Sequence, residues 1–89
     1  MYFVYIIQSA TTRRYYVGLT SNVSKRLTAH NSGTTKSTVS GRPWALVHQE
    51  RFHTRVEARE REKYLKSYSG AGEKQAIIRA SADSYSRVV

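Results

Sequence analysis

The first twenty residues alternate between apolar runs and a short polar link. The apolar runs at residues 2–8 and 15–20 are separated by a turn at 10–13. Runs of this length, bounded by polar turn residues, are typical of β-strands. Both runs are apolar on both faces, so we expect helices to cover the sheet on both sides.

The rest of the chain predicts helices around a third strand at 44–52. A helix over 22–31 begins near Ser21 or Asn22 and ends at a glycine-containing signal, and a polar loop at 32–42 follows it. Thr54 opens a second helix over 54–69, with Glu57 at the capping-box spacing, and a short helix covers 73–80. These elements predict a small α+β layered domain over residues 1–80, with a flexible tail at 81–89.

The hairpin register decides whether two tyrosines meet. With an even number of residues in the link, Tyr5 lies opposite Gly18 and Ile7 opposite Tyr16, which places both phenols on one face. An odd number would place them on opposite faces. Gly18 in the even register would leave an open position beside the Tyr5 ring.

The net charge of the chain indicates a polyanionic partner, which the pattern of strands and helices alone does not. Fifteen Lys and Arg face six carboxylates in 89 residues, which gives a net charge of +9. This balance favours nucleic acid as the partner before a membrane, and the apolar runs are too short to span one. The chain has no cysteine, which excludes disulfides and thiolate metal sites and favours a cytoplasmic location.

The carboxylates are confined to the second half of the chain. They are Glu50, Glu57, Glu60, Glu62, Glu73 and Asp83. So few acids exclude a dense two-metal cage, whereas a single Mg²⁺ ion that keeps most of its waters stays open.

Helical periodicity brings charged groups toward the apolar faces. On the first helix, Arg26 and His30 share a face with the predicted buried stripe of Val23 and Leu27. The alternative for Arg26 is a side chain that merely extends along the surface, and for His30 a packed, hydrogen-bonded histidine.

The second long helix repeats this pattern with the opposite charge. Glu62 falls on the face of Ala58 and Leu65, whereas Glu60 faces away. The alternative for Glu62 is an ion pair with Arg26, Arg59 or Lys66. Tyr64 and Tyr68 are interpreted as packing residues.

Together these groups supply the chemistry of phosphodiester hydrolysis with one metal. Arg26 can grip a phosphate oxygen as charge develops, and Glu62 can anchor Mg²⁺. The base that takes a proton from water is either a phenol with a favoured phenolate form or His30.

The same residues resemble a known family. Tyr5, then Tyr16-Val17-Gly18, Arg26, His30-Asn31 and Glu62, look like the GIY-YIG nuclease domain. The stretches RPWALV and EAREREKYLKS resemble its small stand-alone, YhbQ-like branch. The resemblance covers about residues 2–80 and implies a three-stranded antiparallel sheet flanked by helices. It also implies DNA cleavage that depends on Mg²⁺ or Mn²⁺ at a single site, with a role in DNA repair or recombination.

The resemblance also assigns roles by position. Tyr5 would be the general base that activates water, and Tyr16 would help to position water or phosphate. Arg26 would stabilise the transition state, His30 occupies a position that the family fills with His or Tyr, and Glu62 would bind the metal. The family's first-motif glycine is Phe3 in this chain, and its isoleucines are Val4 and Val17.

DNA contacts are expected from basic and hydroxyl side chains outside the site. The candidates are Arg13, Arg14, Lys25, Lys36, Thr38 and Arg42, together with Thr34, Thr35 and Ser37. The alternative for each is a solvated surface residue. No base-reading element is recognisable, so we expect structure-selective or weakly sequence-specific binding.

Three hypotheses follow. The first is a DNA endonuclease, for which a protein partner supplies the targeting that related nucleases take from an attached domain. The second is a nucleic-acid-binding adaptor without turnover. The third is a partner-binding subunit that docks a larger protein through the YFVYII strand as a sheet edge or through its tyrosine surface.

Overall fold

The three apolar segments form one antiparallel sheet. In the computed structural model, β1 is Tyr2–Ser9, β2 is Tyr15–Thr20 and β3 is Trp44–Phe52, with the spatial order β2-β1-β3. The structure describes the backbone of residues 1–88 and the side chains of residues 1–81. The fold class and the sheet are therefore those that the sequence and the resemblance predicted.

The hairpin adopts the even register. Tyr5 pairs with Gly18, and Ile7 pairs with Tyr16, so the two tyrosines lie on the same face of the sheet. The pairing also shows that β1 is the central strand. The hypothesis that YFVYII is an edge on which a partner docks is wrong, because its backbone groups pair with strands on both sides.

Each face of the sheet has its own apolar core. On one face, Val4, Ile6 and Val17 pack with Ala58 and Leu65 of the second long helix. The other face carries a second cluster of buried residues, namely Tyr5, Ile7 and Trp44, packed against Tyr16 and Leu27. Apolar residues on both faces of β1 are thus explained by helices on both sides.

The helices begin where their caps predict and end differently. Helix α1 is Val23–Ser32 and is capped by the side chain of Asn22. Helix α2 is Arg55–Lys66, with the predicted capping box between Thr54 and Glu57. It stops short of residue 69 because the backbone becomes extended at Ser67, whose N–H bonds to the Tyr64 carbonyl.

The C-terminal helix and the polar loop carry more structure than expected. Helix α3 is Ala71–Val88, longer than the predicted 73–80, and the loop at 32–42 contains a short 3₁₀ helix, Lys36–Gly41. The flexibility predicted for the tail at 81–89 stays a prediction, because beyond Ser81 the tail lies outside the residues whose side chains the structure describes. Within the described part of the chain, no helix combines the length and apolarity needed to cross a bilayer.

Two packing predictions on α2 are wrong. The side chain of Tyr68 is almost fully exposed, and Tyr64 is also exposed. Tyr68 lies beyond the end of α2, so the helical spacing from which its packing was predicted does not reach it. Tyr64 lies within α2, and its ring contacts the Arg61 guanidinium at 5.9 Å.

Candidate active site

An aromatic cluster lies between the sheet and α1. The rings of Tyr5 and Tyr16 have centroids 6.4 Å apart, and the His30 ring lies 5.8 Å from Tyr5 and 5.1 Å from Tyr16. Tyr5 and His30 are fully buried, whereas Tyr16 is half-buried. Gly18 makes room for this cluster, because a Cβ at that position would overlap the Tyr5 hydroxyl.

A chain of hydrogen bonds runs from the sheet through His30 to the polar loop. The Tyr5 hydroxyl lies 2.8 Å from His30 Nε2, and His30 Nδ1 lies 2.7 Å from Thr38 Oγ1. Thr38 Oγ1 also donates to the Thr35 carbonyl at 3.2 Å. Since the threonine hydroxyl has one proton, Nδ1–H donates to Thr38 and Nε2 accepts from Tyr5.

Burial and the guanidinium of Arg26 determine the protonation states of the hydrogen-bonded residues Tyr5 and His30. Burial raises the pKa of Tyr5 above 10.0, although the nearby Arg26 opposes the shift. Burial and Arg26 both lower the pKa of His30 below 6.5. At neutral pH, Tyr5 is therefore a protonated phenol and His30 a neutral imidazole that accepts its hydrogen bond.

Arg26 stands at the open side of the cluster. Its side chain is exposed, yet it affects the pKa of both Tyr5 and His30, so it is close to both. Arg26 and Lys25 line a pocket of about 200 Å³ with the hydroxyl-bearing Thr20 and Ser21 at the end of β2. Two cations and two hydroxyls are suitable partners for phosphate oxygens.

The predicted face of α1 does face the interior, because Leu27 packs against the cluster of Tyr5, Ile7 and Trp44. The degree of burial along that face differs from the expectation. His30 is completely buried, whereas Val23 and Leu27 are only half-buried. His30 occupies the interior because both of its ring nitrogens have hydrogen-bond partners there, which removes the cost of burying them.

Glu62 is buried on α2, as its helical position predicted. Its side chain is only 8% exposed, and its two oxygens face two cations: Oε1 lies 3.3 Å from Arg59 Nη1 and Oε2 lies 3.0 Å from Lys66 Nζ. The Lys66 ammonium also lies 5.7 Å from the centroid of the Tyr16 ring. The Glu62 charge in turn contributes to the raised pKa of Tyr5, so the carboxylate is close to the aromatic cluster.

Tyr5, Tyr16 and His30 thus form one cluster with Arg26 beside it, and Lys66 links Glu62 to the edge of that cluster. The carboxylate comes from a helix that packs on the face opposite to the tyrosines, and Lys66 connects it to Tyr16. Glu60, by contrast, is exposed, as predicted.

Thr38 is the one predicted DNA contact that the structure contradicts. Its side chain is buried, and its hydroxyl is engaged with His30 and Thr35, so it cannot contact a phosphate on the surface. It instead orients the catalytic candidate His30. Residues eight apart across a loop share no periodicity, so the sequence held no signal for this contact.

The basic residues among the predicted DNA contacts are exposed, as a phosphate-binding role requires, whereas Thr35 is half-buried. These basic residues are Arg13, Arg14, Lys25, Lys36 and Arg42. Arg42 has a local partner as well, because its Nε donates to the Val39 carbonyl at 2.9 Å. The hairpin turn lies beside this loop, since the N–H of Ala10 bonds to the Pro43 carbonyl.

Asn31 has a structural task that sequence analysis did not assign. Its side chain donates to the Trp44 carbonyl at 3.0 Å and accepts from the Trp44 N–H at 2.6 Å. The amide therefore pairs with the backbone of β3 as a neighbouring strand would. It fixes the end of α1, and with it His30, to the sheet.

A Mg²⁺ site can be built with a single carboxylate from the protein. Within residues 1–81, no group of three His, Cys, Asp or Glu side chains is placed to hold a metal. Mg²⁺ usually keeps several waters and takes one or two carboxylates plus substrate phosphates. Glu62 fits such a site, on the condition that one of its paired cations gives way.

Known proteins resemble this chain along most of its length. A family model described as the GIY-YIG catalytic domain matches residues 1–75. A UPF0213 protein from Desulfotalea psychrophila is 37% identical over 98% of this chain and 79% of its own length. Another from Staphylococcus haemolyticus is 39% identical, over 76% of this chain and 83% of its own length.

A solved structure is similar as well. The solution NMR structure of a UPF0213 protein from Bacillus halodurans superposes with a TM-score of 0.53 and 30% sequence identity. The match covers 86% of this chain and 83% of that protein. The fold and the family model therefore indicate the same family as the site residues do.

Proposed function

Because this chain belongs to the GIY-YIG catalytic-domain family, we propose that it is a Mg²⁺- or Mn²⁺-dependent DNA endonuclease. The observation that carries the proposal is a cluster of two phenols and an imidazole with a guanidinium beside it, linked through Lys66 to a buried carboxylate, on a protein of net charge +9. A protein that only binds DNA has no use for an acid beside a phosphate. The family supports nuclease activity and nucleic-acid binding in general; the metal, a role in DNA repair or recombination, and a cytoplasmic location are predictions.

The hydrogen-bond chain offers a route for the proton of the attacking water. Because Tyr5 is only 2% exposed in the free protein, the scheme requires that substrate binding admits a water to Tyr5 Oη. That water transfers a proton to Tyr5 Oη as the phenol proton moves to His30 Nε2, which becomes an imidazolium held by Thr38 through Nδ1–H. The hydroxide oxygen then bonds to phosphorus, the P–O bond to the leaving oxygen breaks, and that oxygen takes a proton from solvent. The imidazolium returns its proton through Tyr5 to solvent, which restores the starting pair. In this scheme, Tyr5 and His30 act in series rather than as alternative bases.

The other residues hold the phosphate. Arg26 cannot lose its proton and is placed to bind a phosphate oxygen whose negative charge increases in the transition state. Tyr16 contacts both the histidine and Trp44, which keeps its phenol rigid while it positions water or phosphate. A Mg²⁺ ion on Glu62, when bound, would supply further stabilisation of charge on the phosphate and the leaving oxygen.

The decisive experiment compares two glutamates on one helix. Nicked, flapped and branched DNA are incubated with Mg²⁺ or Mn²⁺ and with wild type, Glu62→Ala or Glu60→Ala. We expect cleavage by wild type and Glu60→Ala and a loss of at least about a hundredfold in Glu62→Ala. Equal cleavage by all three would indicate contamination and would refute the proposal.

The adaptor without turnover is the second candidate, and one observation favours it. Both oxygens of Glu62 are paired with cations, as they would be if the carboxylate only stabilised the helix. This candidate predicts DNA binding that weakens steeply with salt, without any cleavage by the wild type. A partner-binding subunit would instead bind a protein, and its binding would be insensitive to salt.

A further inference from the structure

Lys66 is the last residue of α2 and lies between two groups of the site. Its Nζ is 3.0 Å from Glu62 Oε2 and 5.7 Å from the centroid of the Tyr16 ring. The spacing of four residues, with the acid first, places both side chains on one helix face in the favourable order. The ammonium therefore extends over the tyrosine rather than straight into solvent.

The ammonium lies against the carboxylate oxygen Oε2, to which a metal ion on Glu62 would need access. The other carboxylate oxygen faces Arg59 at 3.3 Å, so the protein already balances the Glu62 charge on both sides. A divalent cation at Oε2 would meet the positive charge of Lys66 at about the distance of an ion pair, where like charges repel. The two cannot share that oxygen without a large loss of attraction.

The lysine is nevertheless easy to displace. Its side chain is 48% exposed, and a flexible four-carbon stem lets the ammonium change partner without movement of the helix. A pair of this kind is held weakly, because solvent screens it. The carboxylate is different: it is almost fully buried and has no room to follow.

We propose that Lys66 is a displaceable counter-ion of Glu62, which leaves the carboxylate when a metal ion arrives and moves to a phosphate oxygen of the substrate. The proposal rests on the proposed function, because it takes Glu62 as the metal ligand. The exchange keeps every charge paired in both states. Metal binding at Glu62 frees Lys66 for DNA, and DNA binding at Lys66 frees Glu62 for the metal. Each ligand therefore strengthens the binding of the other.

The test measures metal binding by the folded protein without DNA. Mn²⁺ is titrated into wild type, Lys66→Met, Lys66→Arg and Lys63→Met, and free Mn²⁺ is followed by electron paramagnetic resonance. Lys63 is an exposed lysine on the same helix, so Lys63→Met controls for the loss of one positive charge. Circular dichroism confirms that each variant is folded.

We expect Lys66→Met to bind Mn²⁺ about two- to fivefold more tightly than Lys63→Met, the range that follows from a weakly held ion pair. Lys66→Arg should behave like wild type. A nicked DNA duplex should tighten Mn²⁺ binding by wild type and do so less in Lys66→Met, which has lost a cation for the phosphate. Equal Mn²⁺ affinity in Lys66→Met and Lys63→Met would overturn the proposal.

Glu62→Gln separates this failure from failure of the proposed function. If Mn²⁺ binding depends on Glu62 but not on Lys66, the counter-ion proposal is wrong and the metal assignment survives. If Mn²⁺ binding is unchanged in Glu62→Gln, the metal site itself is elsewhere and both proposals fail.

Discussion

The Tyr5 hydroxyl lies 2.8 Å from His30 Nε2, and this hydrogen bond joins the central strand to helix α1 inside the protein. Both residues are almost completely inaccessible to solvent. The pair is therefore held in one geometry by the packing around it, as a proton-transfer pair requires. Four predictions follow from this arrangement and from the groups that support it.

The pH dependence of cleavage should report His30. The proposed route needs a neutral imidazole, and burial lowers the pKa of His30 below 6.5. The rate should therefore fall only on the acid side of that pKa, where Nε2 is protonated and cannot accept from Tyr5. We expect His30→Gln and Tyr5→Phe each to lose about 10²–10⁴ of kcat/KM, and the acid limb to vanish in His30→Gln. If the acid limb of the pH–rate profile is unchanged in His30→Gln, a group other than His30 causes it.

Thr38 should set the tautomer of His30. Thr38→Val keeps the shape of the side chain but leaves Nδ1–H without its acceptor, which should cost about 1–3 kcal/mol of stability. Thr38→Ser restores the hydroxyl and should restore most of both stability and rate. Urea denaturation measures the first effect, and two-bond ¹⁵N–¹H correlations of the imidazole identify the protonated nitrogen. A Thr38→Val protein with wild-type tautomer and rate would show that the hydroxyl is dispensable.

Gly18 should be intolerant of any side chain. A Cβ there would overlap the Tyr5 hydroxyl, so Gly18→Ala must displace the ring and lengthen its bond to His30. We expect a destabilisation of about 1–3 kcal/mol and a loss of cleavage. Gly72→Ala is the matched control: open space surrounds Gly72 in helix α3, and alanine should stabilise the helix by about 0.5–1 kcal/mol. Equal effects of both changes on the melting temperature would contradict this account.

His30 should also make stability depend on pH. The unfolded chain binds this proton near pH 6.5, before the folded protein does, so stability is constant above that pH. As the pH falls below 6.5 toward the folded pKa, stability should decrease by at most about 1.4 kcal/mol per unit. Urea titrations across this range measure the slope.

His30→Gln is the control for that slope and should abolish it. Glu50 contributes only at lower pH, because Arg61 holds its pKa below 4.5, and its stabilisation is lost as the pH falls through that lowered value. The slope between pH 6.5 and 4.5 therefore contains the contribution of His30 and not that of Glu50. The same slope in His30→Gln would show that another histidine causes it.

Much of this protein follows from local pattern. The strand positions, the capping box of α2 and the buried side of α2 reflect periodicity and cap chemistry, which act over a few residues. The register of the hairpin stayed open between an even and an odd link, and the structure selects the even one, which places Tyr5 and Tyr16 together. The identity of five candidate site residues came from the resemblance, with helical spacing in support.

Contacts between segments that are far apart in the sequence left no local pattern from which they could be predicted. Thr38 was interpreted as a surface hydroxyl, yet the loop folds back and buries it against His30. The YFVYII strand was considered as an edge, whereas the return of β3 makes it central.

Residue types and short-range spacing were enough to specify a basic α+β domain and the groups from which its chemistry would be built, since caps, periodicity and charge are local properties. The partners of those groups arose on folding: His30 between Tyr5 and Thr38, and Glu62 between Arg59 and Lys66. Hydrogen bonds and ion pairs form between neighbours in space, and which neighbours a buried polar atom finds depends on how the loop and helices pack.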